Sequence, residues 1–442
     1  MKQSLLPKYL FRFLLFIFVL QGTANSKAQT NMAGLIGFAT ENGGTTGGSG
    51  GTDVTVTSFA DLKKYAELKD VKYRIFVKGR IYNGTKGAAI RIASNKSLIG
   101  LGSDALLDGI GIGISSTKNI IIQNIKFTMT SITDKTDPAV YSPTGDEGRP
   151  QILVNSGDCI GIQGTSSNIW IDHCEFYNTD PSQQTNQDLY DGLIDAKNGS
   201  AYITISWCYF HDHHKCHLIG SSDTDKGDRK ITFHHNYYKN INDRMPLYRF
   251  GTGHFFNNYV FGTNSGSAVN SRMGACVRVE NNVFENRLDP VVTKNSTIDG
   301  QWDLVGNSNS YVNCKGNQPT TSNCTFNPTY AYVKVLNNTS EVKALVIKSA
   351  GVGQASAVTA IENSDDNLES VTIFPNPSSN GFEIVGLNET YQYDIVDQFG
   401  VIINNGQVSN GMKIGENLAP GSYIVRLKNI NDLKIVKINK VK

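Results

Sequence analysis

From about residue 54 to 286 the chain alternates apolar and polar positions in short runs, and the runs return at a nearly constant interval. "NIIIQNIKF" (119–127), "NIWIDHCEF" (168–176), "YITISWCYF" (202–210), "ITFHHNYY" (231–238), "HFFNNYVF" (254–261) and "VRVENNVF" (277–284) each put apolar residues on one face, and most end in an aromatic. That alternation marks strands with one buried face. Asn236, Asn258 and Asn282 hold the same phase in the last three runs, 22 and 24 residues apart. A repeat of this length, built from short strands and Gly/Asn turns without a 3.6-residue period, predicts a solenoid of stacked strands. The pattern predicts an all-β right-handed parallel β-helix with asparagines stacked rung upon rung at a turn. A large β-sandwich would leave the even spacing unexplained.

Two polar interruptions break the rhythm. One follows Phe127 and contains "TMTSITDKTDPAVYSPTGDEGRPQ"; the other follows Phe176 and contains "YNTDPSQQTNQDLYDGLIDAKNGS". Loops of that length on a rigid solenoid are where binding sites are built. Near residue 350 the character changes again, and "SAGVGQASAVTAIENSDDNLES" (349–370) reads as a linker. Short alternating strands with Pro/Asn/Gly turns then resume, predicting a small C-terminal β-sandwich over 371–442 that ends in the basic "LKIVKINKVK".

The amino terminus has a different pattern. Lys2, Lys8 and Arg12 precede the apolar "FLLFIFVL" (13–20), and "SKA" (26–28) offers small residues for cleavage. Residues 1–28 therefore read as a secretory leader. The expected division is leader 1–28, β-helix 29–353, linker 354–370 and C-terminal domain 371–442. No later stretch reaches the roughly 18 apolar residues of a membrane span, so the expected product is exported, soluble and monomeric. Without its leader the chain keeps 37 of 41 basic residues against 39 acidic ones. That balance carries no footprint for nucleic acid or a membrane surface. Of the seven cysteines, Cys314 and Cys324 are the expected local disulfide. Cys159, Cys174, Cys208 and Cys276 sit in strand-like runs and read as buried small hydrophobes.

Candidate chemistry gathers in "YDGLIDAKNGSAYITISWCYFHDHHKCHLIGSSD" (190–223). Asp191 and Asp195 flank "GLI", and Asp172 lies one rung earlier in "WIDH". Neighbouring strands run about 4.8 Å apart, so carboxylates on adjacent rungs can converge. Hard oxygen ligands without dedicated cysteines suit calcium. Lys215 follows, and "NDRMPLYRF" adds Arg244 and Arg249. Acids, a lysine and two arginines together describe a site for a polyanion bearing carboxylates, which guanidinium groups bind as a planar fork. In "HDHH" (211–214) strand alternation points the side chains to opposite faces, so His213, like His173, reads as a structural hydrogen-bonding group rather than a zinc ligand or catalyst.

These segments resemble the pectate lyases of polysaccharide lyase family 1. The likeness rests on "GFATENGGTTGGSGG" (37–51), "SLIGLGSDALLDG" (97–109), "NIWIDHCEF", the 191–223 segment and "RMPLYR", in the family's order across roughly 33–353. It implies Asp172, Asp191 and Asp195 as calcium ligands, Arg244 as the proton-abstracting base, and Lys215 and Arg249 as binders of substrate carboxylates. It implies β-elimination on α-1,4-linked polygalacturonate, giving 4,5-unsaturated oligogalacturonides. Where some members carry a second aspartate two residues before that of WIDH, this chain has Trp170. The C-terminal "IFPNPSSNGFEI", "YDIVDQFGVIINNGQ" and "LAPGSYIVRL" resemble the sorting domain of the type IX secretion system, which implies export to the cell surface or beyond. The rival readings are a calcium-free pectin lyase acting on methyl-esterified polymer, a β-helical polygalacturonase and a non-catalytic polysaccharide-binding β-helix. The retained aspartates speak against the first, and the missing paired-acid motifs of hydrolysis against the second.

Overall fold

The computed structural model describes residues 34–262, 266–353, 371–387, 389–396, 402–428 and 433–441. The expected leader 1–28 and linker 354–370 lie outside the described residues. Between residues 52 and 312 the chain is a parallel β-solenoid. Each turn contributes a strand to an eight-stranded parallel sheet, running in order from Ala88–Arg91 to Val291–Val292, and strands to a larger parallel sheet on the other sides.

In-register stacking builds the interior. Ile122, Ile171, Ile205, Phe233, Phe255 and Val279 align rung over rung, and all are buried. A second internal column stacks Phe127, Phe176, Phe210 and Tyr238 with ring centroids 4.8–5.2 Å apart. The spacing equals the strand separation, so parallel pairing itself sets the aromatic stacking.

The asparagine ladder is present. Asn258 Oδ1 accepts from the Asn236 amide at 3.0 Å and Asn282 Oδ1 from the Asn258 amide at 2.8 Å, with Asn309 continuing the series. Each follows a residue in the left-handed region, His235 (φ 55), Asn257 (φ 52) or Asn281 (φ 52). The amide side chains thus satisfy backbone N–H groups that the turns expose. Cys174 and Cys208 take the equivalent positions on earlier rungs; with Cys159 they are buried free thiols, as expected.

A glycine-rich strap crosses the outside of the larger sheet. The amides of Phe38, Ala39, Thr46 and Gly48 donate to Thr232 Oγ1, Thr204 Oγ1, Asn119 Oδ1 and Ser97 Oγ at 2.6–3.1 Å. Gly37 permits the close approach: its φ is 110, and a Cβ there would stand 2.5 Å from Thr204 Oγ1. The strap ties together strands far apart in sequence.

One cysteine expectation is corrected. The disulfide joins Cys276 to Cys324, closing 48 residues, and Cys314 is free. The segment after Cys314 folds back so that the Asn323 amide bonds Trp302 O at 3.1 Å. That brings Cys324 over Cys276 at the start of its strand, so Cys276 is not an isolated hydrophobe. Cys314 Sγ instead faces Phe284 O at 3.3 Å.

Residues 371–441 form a four-stranded and a three-stranded antiparallel sheet. Ile373, Phe382 and Ile384 of one sheet share a core with Ile395, Val425 and Leu427 of the other. Among the described residues no helix is long and apolar enough to cross a membrane.

Candidate active site

The outer face of the eight-stranded sheet carries the charged residues. Gly161 pairs with Asp195 and Ile160 with Ile194, and continuing that register sets Asp158 opposite Gly192, next to Asp191. Asp158, Asp191 and Asp195 each place a carboxylate oxygen within 4.8 Å of the others. Asp158 and Asp195 are buried. Gly192 leaves the room: a Cβ there would lie 2.2 Å from Asp195 Oδ1 and 3.1 Å from Asp158 Oδ1, and its amide donates to Asp158 at 2.8 Å.

Lys197 is the counter-charge. Its Nζ stands 2.8 Å from Asp195, 3.6 Å from Asp158 and 3.8 Å from Asp191. Lys215, at the end of its strand, reaches Asp191 at 2.9 Å and Asp188 at 3.0 Å, and Asp188 also pairs with Arg149. The electrostatics follow from this crowding. Burial, reinforced by Asp195 and Asp191, holds Asp158 well above the usual carboxylate range against the pull of Lys197. Burial raises Asp195 as well, although Lys197 opposes it. For Asp191 burial also works upward, but Lys215 and Lys197 outweigh it and bring the group below its ordinary range. Burial disfavours the Lys197 ammonium, yet the three carboxylates raise it above the usual lysine range. Three carboxylates crowd around the half-buried Lys197, with Lys215 reaching Asp191 alone of the three, and these gathered hard oxygen donors suit a divalent cation.

The arginines stand at the other end of the same face. Arg244 lies in the turn after Tyr237–Asp243 with φ 65, a left-handed conformation that a bulky residue holds only where its surroundings impose it. Its carbonyl accepts from the His217 amide at 2.8 Å and the next amide, Met245, donates to Ala268 O at 2.9 Å, which fixes the turn. Its side chain makes no hydrogen bond or ion pair with a described residue, while its charge reaches Asp191 and Asp195. Arg249 is anchored, Nε to Asp223 at 3.0 Å and Nη1 to Gly220 O at 3.0 Å. Arg272 pairs with Arg249 in register. Burial first, then the Arg249 charge and more weakly that of Arg244, lower it below the usual arginine range.

The structure brings together Asp191, Asp195, Lys215, Arg244 and Arg249 of the expected residues. Asp172 is a correction. It ends a strand of the other sheet, paired with Gln123 and Ser206. Its carboxylate accepts from Ser206 Oγ at 2.6 Å and Gln123 Nε2 at 2.8 Å, and meets His173 Nδ1 at 2.7 Å. Both oxygens are engaged on a different side of the solenoid, and Asp158 takes its place among the acids. Trp170 is turned to the strap side, its Nε1 donating to Ser206 Oγ at 2.9 Å. His213 is buried between Asn178 and the Asp191 carbonyl, where burial lowers it to about 4. His173 stacks on Trp207.

Two residues escaped the sequence reading although signals existed. Setting "DCIGI" over "DGLIDAK" as consecutive rungs, isoleucine on isoleucine, lands Asp158 beside Gly192. Strand alternation from Asp195 lands Lys197 on the same face.

A parallel β-helix with an acidic pocket and a row of cations on one outer face defines a polysaccharide lyase acting on a polyanion. The pectate lyase family model matches residues 14–355 and a secretion system C-terminal sorting domain matches 372–440. The chain belongs to the pectate lyase family. A pectate trisaccharide-lyase of Bacillus licheniformis is 43% identical over 325 residues, spanning 72% of this chain and 86% of the relative. Pectate lyase A of Aspergillus niger is 34% identical over 333 residues, spanning 74% and 91%. Among solved structures, a pectate lyase of Bacillus sp. N165 in complex with trigalacturonate superposes with a TM-score of 0.58 at 34% identity, over 72% of this chain and 99% of that one. The sorting domain implies type IX secretion to the cell surface or the extracellular space.

Proposed function

We propose that the protein is a calcium-dependent pectate lyase that cleaves de-esterified α-1,4-linked polygalacturonate by β-elimination. The observation that carries this reading is one outer face holding the Asp158–Asp191–Asp195 cluster together with Arg244, whose side chain has no hydrogen-bond partner among the described residues. The acids fit calcium: the donors are hard oxygens, they are close, and their negative charge exceeds what Lys197 offsets. When bound, the ion supplies positive charge to a substrate carboxylate.

Each protein side chain then has a part. Lys215 and Arg249 hold the C6 carboxylate and stabilise the charge that grows as C5 loses its proton. Arg244 takes that proton, the C4–O bond breaks, a C4=C5 double bond forms, and the departing oxygen is protonated by water. Arginine is ordinarily protonated, so the base role requires positive charge near its guanidinium while substrate is bound. The acids disfavour the rival pectin lyase, whose esterified substrate needs no metal bridge. A pure binder has no use for an arginine left without a hydrogen-bond partner among the described residues beside them.

Residues 1–28 act in this reading as a cleaved leader and 371–442 as the sorting domain, joined to the catalytic part through 354–370. The name of the Bacillus licheniformis relative makes a trisaccharide the product length to look for. The test is ultraviolet absorbance during incubation with polygalacturonate, with calcium and then with excess chelator. A rise that chelation abolishes is expected. A rise that survives chelation would support the calcium-free reading, and new reducing ends without absorbance would mean hydrolysis.

A further inference from the structure

From Lys197 onward the outer face of the eight-stranded sheet carries a row of cations with one gap. Lys197 stands over Gly220, Gly220 over Arg249, Arg249 over Arg272 and Arg272 over Lys294, by continuation of the strand registers. On that same turn of the coil Lys215 ends the preceding strand and turns to Asp191 and Asp188. At Gly220 a Cβ would press within 2.9 Å of Arg249 Cβ, so the gap in the row gives Arg249 its place. Intervening residues such as Ile219 and Tyr248 point into the core, so the row faces outward. Rungs repeat at about 4.8 Å, and a 1,4-linked uronate advances by a similar length, each residue bearing one carboxylate.

We propose that the substrate cleft continues two rungs past Arg249, over Arg272, to a uronate-binding subsite at Lys294. The inference rests on the pectate reading and adds to it a contact remote from the reacting bond. Two features support it independently of the row. Arg272 is 8% exposed, yet its Nε has no hydrogen-bond partner among the described residues. A buried guanidinium left short of acceptors is costly unless an anion completes it. Lys294 is held ready at its backbone by the buried Asn270, which accepts from the Lys294 amide at 3.2 Å and donates to its carbonyl at 3.4 Å. Its Nζ meets Asp289 at 3.1 Å. That contact uses one of three ammonium donors, orienting the group while leaving donors for a substrate carboxylate.

The test compares Lys294→Ala and Lys294→Arg with the wild type on trigalacturonate and hexagalacturonate. A trimer over Lys215 and Arg244 stops short of Lys294, whereas a hexamer reaches it. The expected result for Lys294→Ala is an unchanged kcat/KM on the trimer and a loss of about tenfold on the hexamer, the scale of one charge-assisted hydrogen bond. Lys294→Arg should recover most of that loss. Hexamer binding in chelator, read by titration calorimetry, should fall in parallel. An equal loss at both lengths would mean a structural effect, and no loss on the hexamer would mean no subsite; either overturns the proposal. If the wild type released no unsaturated product, the lyase reading would fail separately. The difference in hexamer binding would still decide whether Lys294 holds a uronate.

Discussion

The two ends of the cleft solve opposite problems with the same rungs. At the acid end Asp158, Asp191 and Asp195 are drawn together around Lys197, two of the three buried, with Lys215 on Asp191. At the arginine end Arg244, Arg249 and Arg272 crowd on neighbouring rungs, with Asp223 bonded to Arg249 and Asp243 close by. On the proposed reading a cation would complete one end and an anion the other, and a polyuronate laid along the sheet would connect them. Neither end is optimised for the stability of the free protein, and that is the usual mark of a site shaped by its ligand.

Removing Arg244 is the sharpest way to break the arginine end. Arg244→Ala should lower turnover by roughly a thousandfold or more, the scale of a lost acid–base group, while polygalacturonate binding in calorimetry stays within a few-fold. A parallel collapse of binding would make Arg244 a substrate clamp and leave the base unassigned. Next in size comes the acid sensitivity of the interior histidines. His217 and His235 are buried neutral, lowered from 6.5 to about 3 and about 4 chiefly by burial. The unfolded chain therefore binds protons there that the folded protein refuses. Their stabilising contribution is complete above pH 6.5 and drains as pH falls toward 4, by roughly 1.4 kcal/mol per residue per unit. Urea midpoints at pH 7 and pH 4.5 should differ accordingly, and His217→Gln should flatten the difference.

Much of this organisation was legible in the chain, and the reason lies in how a solenoid writes itself. Each rung repeats one local grammar, so period, strand positions and the Asn236–Asn258–Asn282 ladder could be read directly. Asp191, Asp195, Lys215, Arg244 and Arg249 emerged because they fall in one or two short segments. What failed was assignment to a side of the coil. Asp172 and Asp158 are only fourteen residues apart in one rung, but the turn before Ser167–Asp172 sends Asp172 to the other sheet. Motif spacing does not say on which face an acid lies, whereas rung register does. The disulfide failed for a related reason: Cys314 and Cys324 are neighbours in sequence, but the fold-back after Tyr311 passes Cys314 by and delivers Cys324 to Cys276.

The smallest effect expected separates function from stability at the acid end itself. Asp158 is raised well above 3.8 by burial and by Asp195 and Asp191, so the folded protein binds that proton more tightly than the unfolded chain does. Its contribution is favourable at low pH and is lost as pH rises from 3.8 through the raised value, the reverse of the histidines. Once the pH is high enough to ionise Asp158, its carboxylate without calcium is therefore a burden. Asp158→Asn keeps the shape and the acceptor for the Gly192 amide while removing one charge from the cluster. The chelated variant should unfold a few degrees above the chelated wild type, on the order of 1 kcal/mol, and calcium should raise its melting temperature less. A chelated variant that melts lower would mean that Lys197 and Lys215 already balance the three acids, and the contrast between the two ends would then rest on the arginines.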